Sequence, residues 1–265
     1  MKIKPISPRQ TLVERLVLKH GRFLLLVSLA AAVGLWQLII VVTGLPAFIL
    51  PSPGQVVERM LRAVADGSLL RHASITLVEV LLGLLAGSTL ATGLGYLLAK
   101  SRLLERVASP YLVASQAIPV VAVAPLLVIW FGTGLLAKVL VCMLTVFFPI
   151  LVNTVVGLRS VPENLRDVMH SLHASRLEML RHLEIPAALP VLLGGLRVGA
   201  TLSVIGAVVG EFVVADAGLG FLVNISGWQY DTAMVFGAIF TLVGMALALY
   251  GLVVLAERRL LRWQK

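Results

Sequence analysis

The sequence predicts an all-α, polytopic membrane protein with six transmembrane helices. Of its 265 residues, 59% are hydrophobic and only 13% are charged, whereas soluble domains carry about 25% charged residues. Six apolar runs are long enough to cross a hydrocarbon core of about 30 Å. These runs are residues 23–43, 75–99, 111–131, 135–157, 191–214 and 233–256. A long polar loop, residues 158–190, separates the fourth run from the fifth.

The first span follows a basic amino-terminal segment. Residues 1–22 carry six Lys or Arg and one Glu, and the next 21 residues, Phe23 to Thr43, are uncharged. Because this run is long enough to span a bilayer, we interpret it as an uncleaved first helix. A cleaved signal peptide is the alternative, since the alanines at 30–32 resemble a small-residue cleavage site.

A short amphipathic helix is predicted between the first two spans. Ser52-Pro53-Gly54-Gln55 has the form of a capping box with proline at the first helical position. The apolar residues that then share one face are Val56, Val57, Met60, Leu61 and Val64. The helix is too short to cross a membrane, so we expect it beside the bundle or at the interface.

Prolines interrupt the third and fourth spans. Pro119 and Pro125 lie in the third, and Pro149 lies in the fourth. Such prolines mark kinked helices around a transport site, or they are ordinary kinks of membrane helices. The sequence leaves both interpretations open.

Three ionisable residues lie within spans, where a charge is energetically costly. They are Glu79, Arg197 and Glu211. At 1.5 Å per residue, Arg197 lies about 10 Å inside its helix and Glu211 about 30 Å along it. Each can therefore lie near an interface, and each either belongs to a translocation pathway or forms a structural pair.

The fifth span also carries a stripe of small residues. Gly195 and Gly199 are four residues apart, as are Gly206 and Gly210. This spacing permits two helix backbones to approach closely. The stripe indicates either tight packing within the bundle or a helix that lines a pathway or a dimer axis.

The basic residues predict the orientation. Segments 1–22, 100–107, 158–190 and 257–265 together carry 17 Lys or Arg residues, and the segments on the other side carry four. By the positive-inside rule, both termini and the 158–190 loop are cytoplasmic. We therefore divide the chain into a cytoplasmic segment 1–22, a membrane domain 23–256 and a cytoplasmic tail 257–265. This orientation explains the net charge of +9 without a nucleic-acid partner.

The polar loop carries two consecutive helix-start signals. Ser160 with Glu163 and Ser175 with Glu178 both fit the S-x-x-E capping box. The apolar residues that follow at helical spacing are Leu165, Val168, Met169 and Leu172, and then Leu177, Leu180 and Leu183. We expect two amphipathic helices, broken near His173 and ended at Ile185-Pro186. Their apolar faces need a partner, which the loop itself does not provide.

The sequence contains no enzymatic, cofactor or metal motif. It has no G-x-x-x-x-G-K-[ST] phosphate loop, so the chain does not hydrolyse ATP itself, and it has no H-E-x-x-H zinc pair. His170 and His173 are three residues apart but have no evident carboxylate or thiol partner, so we interpret them as solvated. The single cysteine, Cys142, lies in an apolar run, which excludes a disulfide framework.

The polar loop resembles the coupling loop of permease subunits in bacterial ABC importers. That loop reads E-A-A, three residues, glycine, nine residues, and then I-x-L-P. Here Asp167-Val168-Met169 stands at the E-A-A position, His173 stands at the glycine position, and IPAALP at 185–190 closes the pattern. Ala174-Ser175-Arg176 and the GLR at 195–197 match the branch that includes sulfonate, taurine and nitrate permeases. Further agreement comes from LPSP at 50–53, Ile118-Pro119, APL at 124–126 and WFG at 130–132.

This resemblance implies an importer subunit of the bacterial cytoplasmic membrane. Its expected partners are cytoplasmic ABC ATPase subunits, an extracytoplasmic substrate-binding protein and a second permease copy. The residues assigned to ATPase coupling are Asp167, Val168, Met169, Leu172, His173, Ala174, Ser175, Leu177, Leu180, Pro186 and Pro190. The candidates for the translocation pathway are Arg197, Gly206, Gly210, Glu211, Pro119 and Pro125.

Two departures from the family pattern bear on ATPase choice. Val168 and Met169 replace small alanines on a surface that should fit a groove. If the turn requires a positive φ, the family's glycine adopts it freely, whereas His173 does so at an energetic cost. We therefore expect the ATPase groove to differ in shape, and expect less sharing of ATPases with other family members.

The substrate prediction rests on a smaller part of the chain. VIGAVVGEF at 204–212, Ala215-Asp216 and GLG at 218–220 resemble the sub-branch associated with riboflavin or thiamine pyrimidines. Arg197 is the only basic residue well inside a span, whereas a sulfonate, taurine or nitrate route, the alternative, should offer more cationic groups.

A stand-alone secondary transporter would need repeated halves and mid-membrane carboxylates for a coupling ion, and the sequence shows neither.

Overall fold

The computed structural model describes residues 12–213 and 215–262, without the side chains of 12–22 and 25. Every regular element in these ranges is helical. The helices are α1 (Leu12–Thr43), α2 (Pro53–Ala65), α3 (Ser68–Lys100), α4 (Arg102–Gln116), α5 (Val120–Phe131), α6 (Leu135–Arg159), α7 (Glu163–Ser171), α8 (Arg176–Met179), α9 (Ile185–Val213), α10 (Leu219–Trp228) and α11 (Thr232–Leu260). A π-helical turn, Leu180–Glu184, joins α8 to α9.

The predicted all-α membrane fold is confirmed. Within the described residues, five helices are long and apolar enough to cross a membrane: α1, α3, α6, α11 and the continuous helix from α8 to α9. Helices α4 and α5 qualify together as a sixth span, although they are bent by 95°. The basic segment 1–11 and the last three residues of the tail lie outside the described residues.

The third span is broken rather than continuous. Over the predicted run 111–131, α4 ends at Gln116 and α5 begins at Val120 after Pro119. Proline disfavours helical backbone at the preceding residue and lacks the N–H that would continue the helix. Pro125 lies inside α5 and does not end it.

The centre of the bundle consists of α3, α6 and α9. A Cβ added to Gly206 of α9 would lie 2.8 Å from Cα of Cys142, and one added to Gly210 would lie 3.2 Å from Cα of Lys138. Gly95 of α3 approaches Thr154 of α6 in the same way. The small-residue stripe therefore brings α9 against α6 of the same chain. This is tight packing within the bundle, one of the two roles predicted for the stripe.

Helix α2 lies beside the bundle, and its capping box is confirmed. The hydroxyl of Ser52 accepts a hydrogen bond from the N–H of Gln55, whose side chain accepts one from the N–H of Ser52. Its apolar face differs from the prediction, because Val56 and Ala63 are buried whereas Leu61 is 64% exposed. Contacts with α11 select this face.

The structure of the polar loop differs from two sequence predictions. Ser160 does not cap α7: it ends α6, and its hydroxyl donates to the carbonyl of Gly157 over 2.8 Å. Helix α7 begins at Glu163 with Pro162 as its cap. The second helix does not end at Ile185-Pro186 but continues into α9. A π turn before the proline provides the local adjustment by which membrane helices accommodate the missing N–H.

Candidate functional site

The turn between α7 and α8 is a complete Schellman motif with histidine at its left-handed position. His173 has a φ of 55°. Its N–H donates to the carbonyl of His170 over 2.9 Å, and the N–H of Ala174 donates to the carbonyl of Met169 over 3.0 Å. Glycine is the usual residue at this position. The turn therefore has the positive φ that the sequence left open, and His173 adopts a backbone conformation that favours glycine.

The apolar face of α7 is exposed and has no covering element among the described residues. Val168 is 55% exposed and Leu172 is 71% exposed. Leu177, on α8, is also 71% exposed. Asp167 is exposed beside them, whereas Met169 is half-buried. The turn thus presents an apolar surface of about two helical turns next to a carboxylate.

The second half of the loop is rigidly attached to the bundle. Ser175 and Glu178 form the predicted capping box at the start of α8. From there the helix runs without interruption through Leu180, Pro186 and Pro190 into α9. The exposed turn is therefore joined to the membrane domain by one continuous helix, residues 176–213.

A buried charge cluster occupies the opposite end of the bundle. Nζ of Lys138 on α6 lies 2.5 Å from Oε1 of Glu79 on α3. Their side chains are only 8% and 0% exposed. Glu211 at the end of α9 is 1% exposed and accepts a hydrogen bond from Oγ1 of Thr76 over 2.6 Å. Charged groups from the three central helices thus meet in the protein interior.

The same cluster holds the segment that leads from α9 into α10. The N–H of Leu219 donates to Oγ1 of Thr76 over 2.7 Å, and the N–H of Gly220 donates to the carboxylate of Glu211. The N–H of Gly218 donates to Nδ1 of His72 over 3.0 Å. Gly218 has a φ of 126°, and an added Cβ there would collide with the Glu211 carboxylate. Residues 218–220 are therefore held to α3 and α9 by hydrogen bonds.

Each ionisable residue predicted within a span makes a polar contact with another helix. Nε of Arg197 lies 3.1 Å from a carboxylate oxygen of Glu257 on α11. Glu79 and Glu211 belong to the buried cluster. Arg197 and Glu79 are thus in ion pairs, and Glu211 accepts hydrogen bonds from Thr76 and from the N–H of Gly220.

Sequence reasoning missed the residues that complete these pairs. Lys138 was only counted among the four basic residues on the other side, and neither Thr76 nor Glu257 was singled out. One signal for Lys138 was available in the sequence. Lys138, Glu79 and Glu211 belong to three different spans and lie near the same end of the bundle. For the other two, the sequence offers no local signal, because their partners are remote along the chain.

A cavity of about 430 Å³ lies at the break of the third span. Its wall includes Gln116 of α4 and Thr145 and Phe148 of α6. Pro119 lies at the break itself and Pro125 is in the following helix, and both are exposed. Gly206 and Gly210, by contrast, are buried between α6 and α9.

Comparisons with known proteins agree with this architecture. The family model "Binding-protein-dependent transport system inner membrane component" matches residues 80–262. The chain is 46% identical over 238 residues to the riboflavin transport system permease protein RibX of Chloroflexus aurantiacus, covering 90% of this chain and 89% of that protein. It is 36% identical to the formylaminopyrimidine transport permease protein ThiX of Halalkalibacterium halodurans, covering 87% and 92%.

A more distant relative and a solved structure extend the comparison. The chain is 30% identical to the putative aliphatic sulfonates transport permease protein SsuC of Bacillus subtilis, covering 89% of this chain and 85% of that protein. An inward-facing structure of the MetNI methionine ABC transporter matches with a TM-score of 0.67 and 21% identity, over 75% of this chain and 98% of that one. The chain therefore belongs to the family of binding-protein-dependent transport system inner membrane components, the permease subunits of ABC importers.

Proposed function

We propose that this chain forms the substrate pathway of an ATP-driven importer, with the 158–190 loop docked in a groove of a separate ATPase subunit. The observation that carries the proposal is the exposed apolar face at Val168, Leu172 and Leu177, presented by a capped, rigid turn. A solvent-facing apolar helix face is the form in which helices dock into grooves of partner proteins. Because the chain has no phosphate loop, ATP hydrolysis falls to that partner.

The proposal includes the orientation and the other partners. The loop and both termini face the cytoplasm, as the excess of basic residues on that side supports. A substrate-binding protein delivers its cargo at the opposite end, where α2 and the turn between α10 and α11 meet. A second copy of the permease completes the pathway as a homodimer.

We place the pathway beside the break of the third span. The first N–H groups of α5 have no intrahelical partner, and Pro119 provides no side-chain cap. In a membrane, such irregular backbone is tolerated where it is buried in protein or lines a water-filled cavity. The adjoining cavity, with Gln116 and Thr145 in its wall, supports this placement.

For the substrate, we propose a vitamin or vitamin precursor of the riboflavin or thiamine-pyrimidine type. Two relatives are named for riboflavin and formylaminopyrimidine transport. The paired state of Arg197 leaves no basic side chain free within the described part of the fifth span. Relatives named for sulfonate and taurine transport make an anionic sulfonate the alternative.

The docking proposal is tested by co-purification. Leu172→Ser and Leu177→Ser together should reduce recovery of the ATPase subunit with the permease, because they remove the apolar docking face. Leu70→Ser, at the opposite end of the bundle and 59% exposed, is the matched control and should not change recovery. Equal recovery of the ATPase subunit with the unaltered permease, the double variant and the Leu70→Ser control would contradict docking through this face.

Transport and substrate are tested together in proteoliposomes. The permease, its co-purified ATPase and the binding protein should accumulate a substrate only when ATP is supplied. Riboflavin, thiamine pyrimidines and taurine are compared by the shift each produces in the melting temperature of the binding protein. Uptake without ATP, or without any ATPase, would support a secondary transporter instead.

A further inference from the structure

The π turn at the entrance to α9 carries a buried carboxylate. Glu184 is the last residue of the turn and is 2% exposed. Its Oε1 lies 2.6 Å from Nζ of Lys100. Its Oε2 has no hydrogen-bond partner among the described residues. Burial of a charged group with so few partners is energetically unfavourable, so packing alone does not account for a glutamate at this position.

Lys100 is the last residue of α3 and is held by two contacts. Besides the carboxylate, its Nζ lies 5.4 Å above the ring centre of Tyr96, one turn earlier on α3. The lysine side chain is 44% exposed, whereas that of Glu184 is 3% exposed. The lysine therefore reaches from the end of α3 onto a carboxylate fixed inside the helix that comes from the loop.

The position of this pair matters because α3 is not adjacent to the loop along the chain: α4, α5 and α6 lie between them. The exposed turn is joined to α9 directly, through α8 and the π turn. The Glu184–Lys100 pair adds a link from that helix to α3 at the loop end. At the opposite end the hydrogen bond from Thr76 to Glu211 joins α3 and α9 again. The two helices are thus tied by polar contacts at both ends.

The π turn itself is unusual. π-helical turns are rare and occur frequently at functional sites. Here the turn lies between the exposed docking face and the first residue of α9, and Glu184 closes it. A load applied to the loop by a partner reaches α9 through this turn, whereas the other end of the loop is joined to α6 by residues 160–162.

We propose that Glu184 is a positioning residue that couples movement of the loop to α3 through Lys100; this inference rests on the proposed function of the loop as the ATPase contact. With the pair intact, displacement of the loop moves α3 and α9 together, and both helices bind residues 218–220 at the far end. Without the pair, the loop has no polar link to α3 at this end, and its displacement reaches α3 only through the packing of the helices. ATP hydrolysis then continues, but fewer substrate molecules are imported per ATP hydrolysed.

The test uses the permease with its ATPase and binding protein in proteoliposomes. Glu184→Gln keeps the size and hydrogen-bonding capacity of the side chain but removes its charge. We expect assembly and ATP hydrolysis to persist, while the amount of substrate imported per ATP hydrolysed falls about tenfold, within the usual range of coupling between sites. Lys100→Met should act in the same way. The charge-reversed double variant Lys100→Glu with Glu184→Lys should recover part of the loss.

A matched control comes from the other ion pair at this end. Arg159, the last residue of α6, pairs with Glu105 of α4 and therefore does not link α9 to α3, so Arg159→Met should leave the import-to-ATP ratio unchanged. An unchanged ratio in Glu184→Gln overturns the inference. Loss of assembly or of the folded state in both Glu184→Gln and Lys100→Met also overturns it, because the pair would then be only a structural anchor. Absence of ATP-dependent uptake by the unaltered protein rejects the proposed function itself.

Discussion

His173 shows how a single residue can conflict with its backbone. It occupies the left-handed position of a Schellman motif with a φ of 55°, and glycine usually occupies this position. A non-glycine residue in this region costs about 1–2 kcal/mol. Its ring nitrogen lies 3.2 Å from the carbonyl of Ser171 and offers a partial offset. The turn therefore retains its form despite an unfavourable residue.

His173→Gly should stabilise the turn by up to about 1 kcal/mol, because glycine removes the steric cost but loses more chain entropy on folding. Amide hydrogen exchange in α7 measures this as slower exchange. His170→Gly, one turn earlier inside α7, is the control and should speed exchange, since glycine is unfavourable within a helix.

The same variant tests ATPase choice. If His173 shapes the groove contact, His173→Gly changes either the affinity for the cognate ATPase or the transport supported by an ATPase from another member of the family. No change in either property would contradict the hypothesis that this residue determines partner choice.

The buried pair of Lys138 and Glu79 depends on both of its members. Lys138→Met leaves the carboxylate buried without its cation and should destabilise the protein by about 3–5 kcal/mol. Adding Glu79→Gln should restore much of this loss, because the uncompensated charge is removed. Thermal unfolding in mild detergent measures both effects.

An exposed pair provides the comparison. Arg62 and Glu58 of α2 form an ion pair with side chains 66% and 63% exposed. Arg62→Met should change stability by no more than about 1 kcal/mol. Equal effects of Lys138→Met and Arg62→Met would contradict the assignment of the first pair to the protein interior.

Among the elements, the capping box at Ser175 fixes where α8 starts. Ser175→Ala removes the side-chain acceptor for the N–H of Glu178 and should cost about 1 kcal/mol. Amides in residues 176–179 should then exchange about fivefold faster. Ser171→Ala is the control, since its hydroxyl bonds only to the carbonyl of Asp167 within α7. Equal exchange in both variants would argue against a capping role.

The proposed pathway at the break of the third span predicts that water reaches Gln116. If the break lines the pathway, a cysteine at Gln116 reacts with a water-soluble thiol reagent. Ile129→Cys in α5 is the control, because a side chain 75% exposed on an apolar helix should face lipid and react slowly. The native Cys142 is buried and adds little background. Slow labelling at Gln116 would contradict the proposed pathway.

At the scale of the whole molecule, orientation decides which end meets which partner. In intact cells, a cysteine at Gln229, near the turn before α11, should react with an impermeant reagent. A cysteine at Ser171, in the loop, should react only after the membrane is permeabilised. The reverse pattern would contradict the inference from the positive-inside rule.

The molecule also has two polar ends joined by an apolar, glycine-rich middle. The loop end holds the pairs of Glu184 and Arg197, and the far end holds the cluster around Glu211. Between them, close backbone contact joins α3, α6 and α9. Close packing transmits displacement rather than absorbing it, which suits helices that carry movement from one side of a membrane to the other.

The sequence by itself determined the features that depend on local chemistry. The number of spans follows from the length of apolar runs, and the capping boxes at Ser52 and Ser175 involve residues only three apart. The family followed from the loop pattern around Asp167 and His173. Each of these signals lies within one continuous stretch of chain, where local backbone and solvation energies dominate.

Only the tertiary structure decided the features that join distant segments. Thr76 and Glu211 are 135 residues apart, and Lys100 and Glu184 are 84 apart. The capping prediction at Ser160 was wrong because α6 extends through its position, and the end predicted at Pro186 was wrong because a π turn carries the helix past it. These two errors concern bonds within single helices, from Ser160 to Gly157 and within the π turn. The long-range pairs depend on how distant helices pack together, and no single stretch of sequence contains that information.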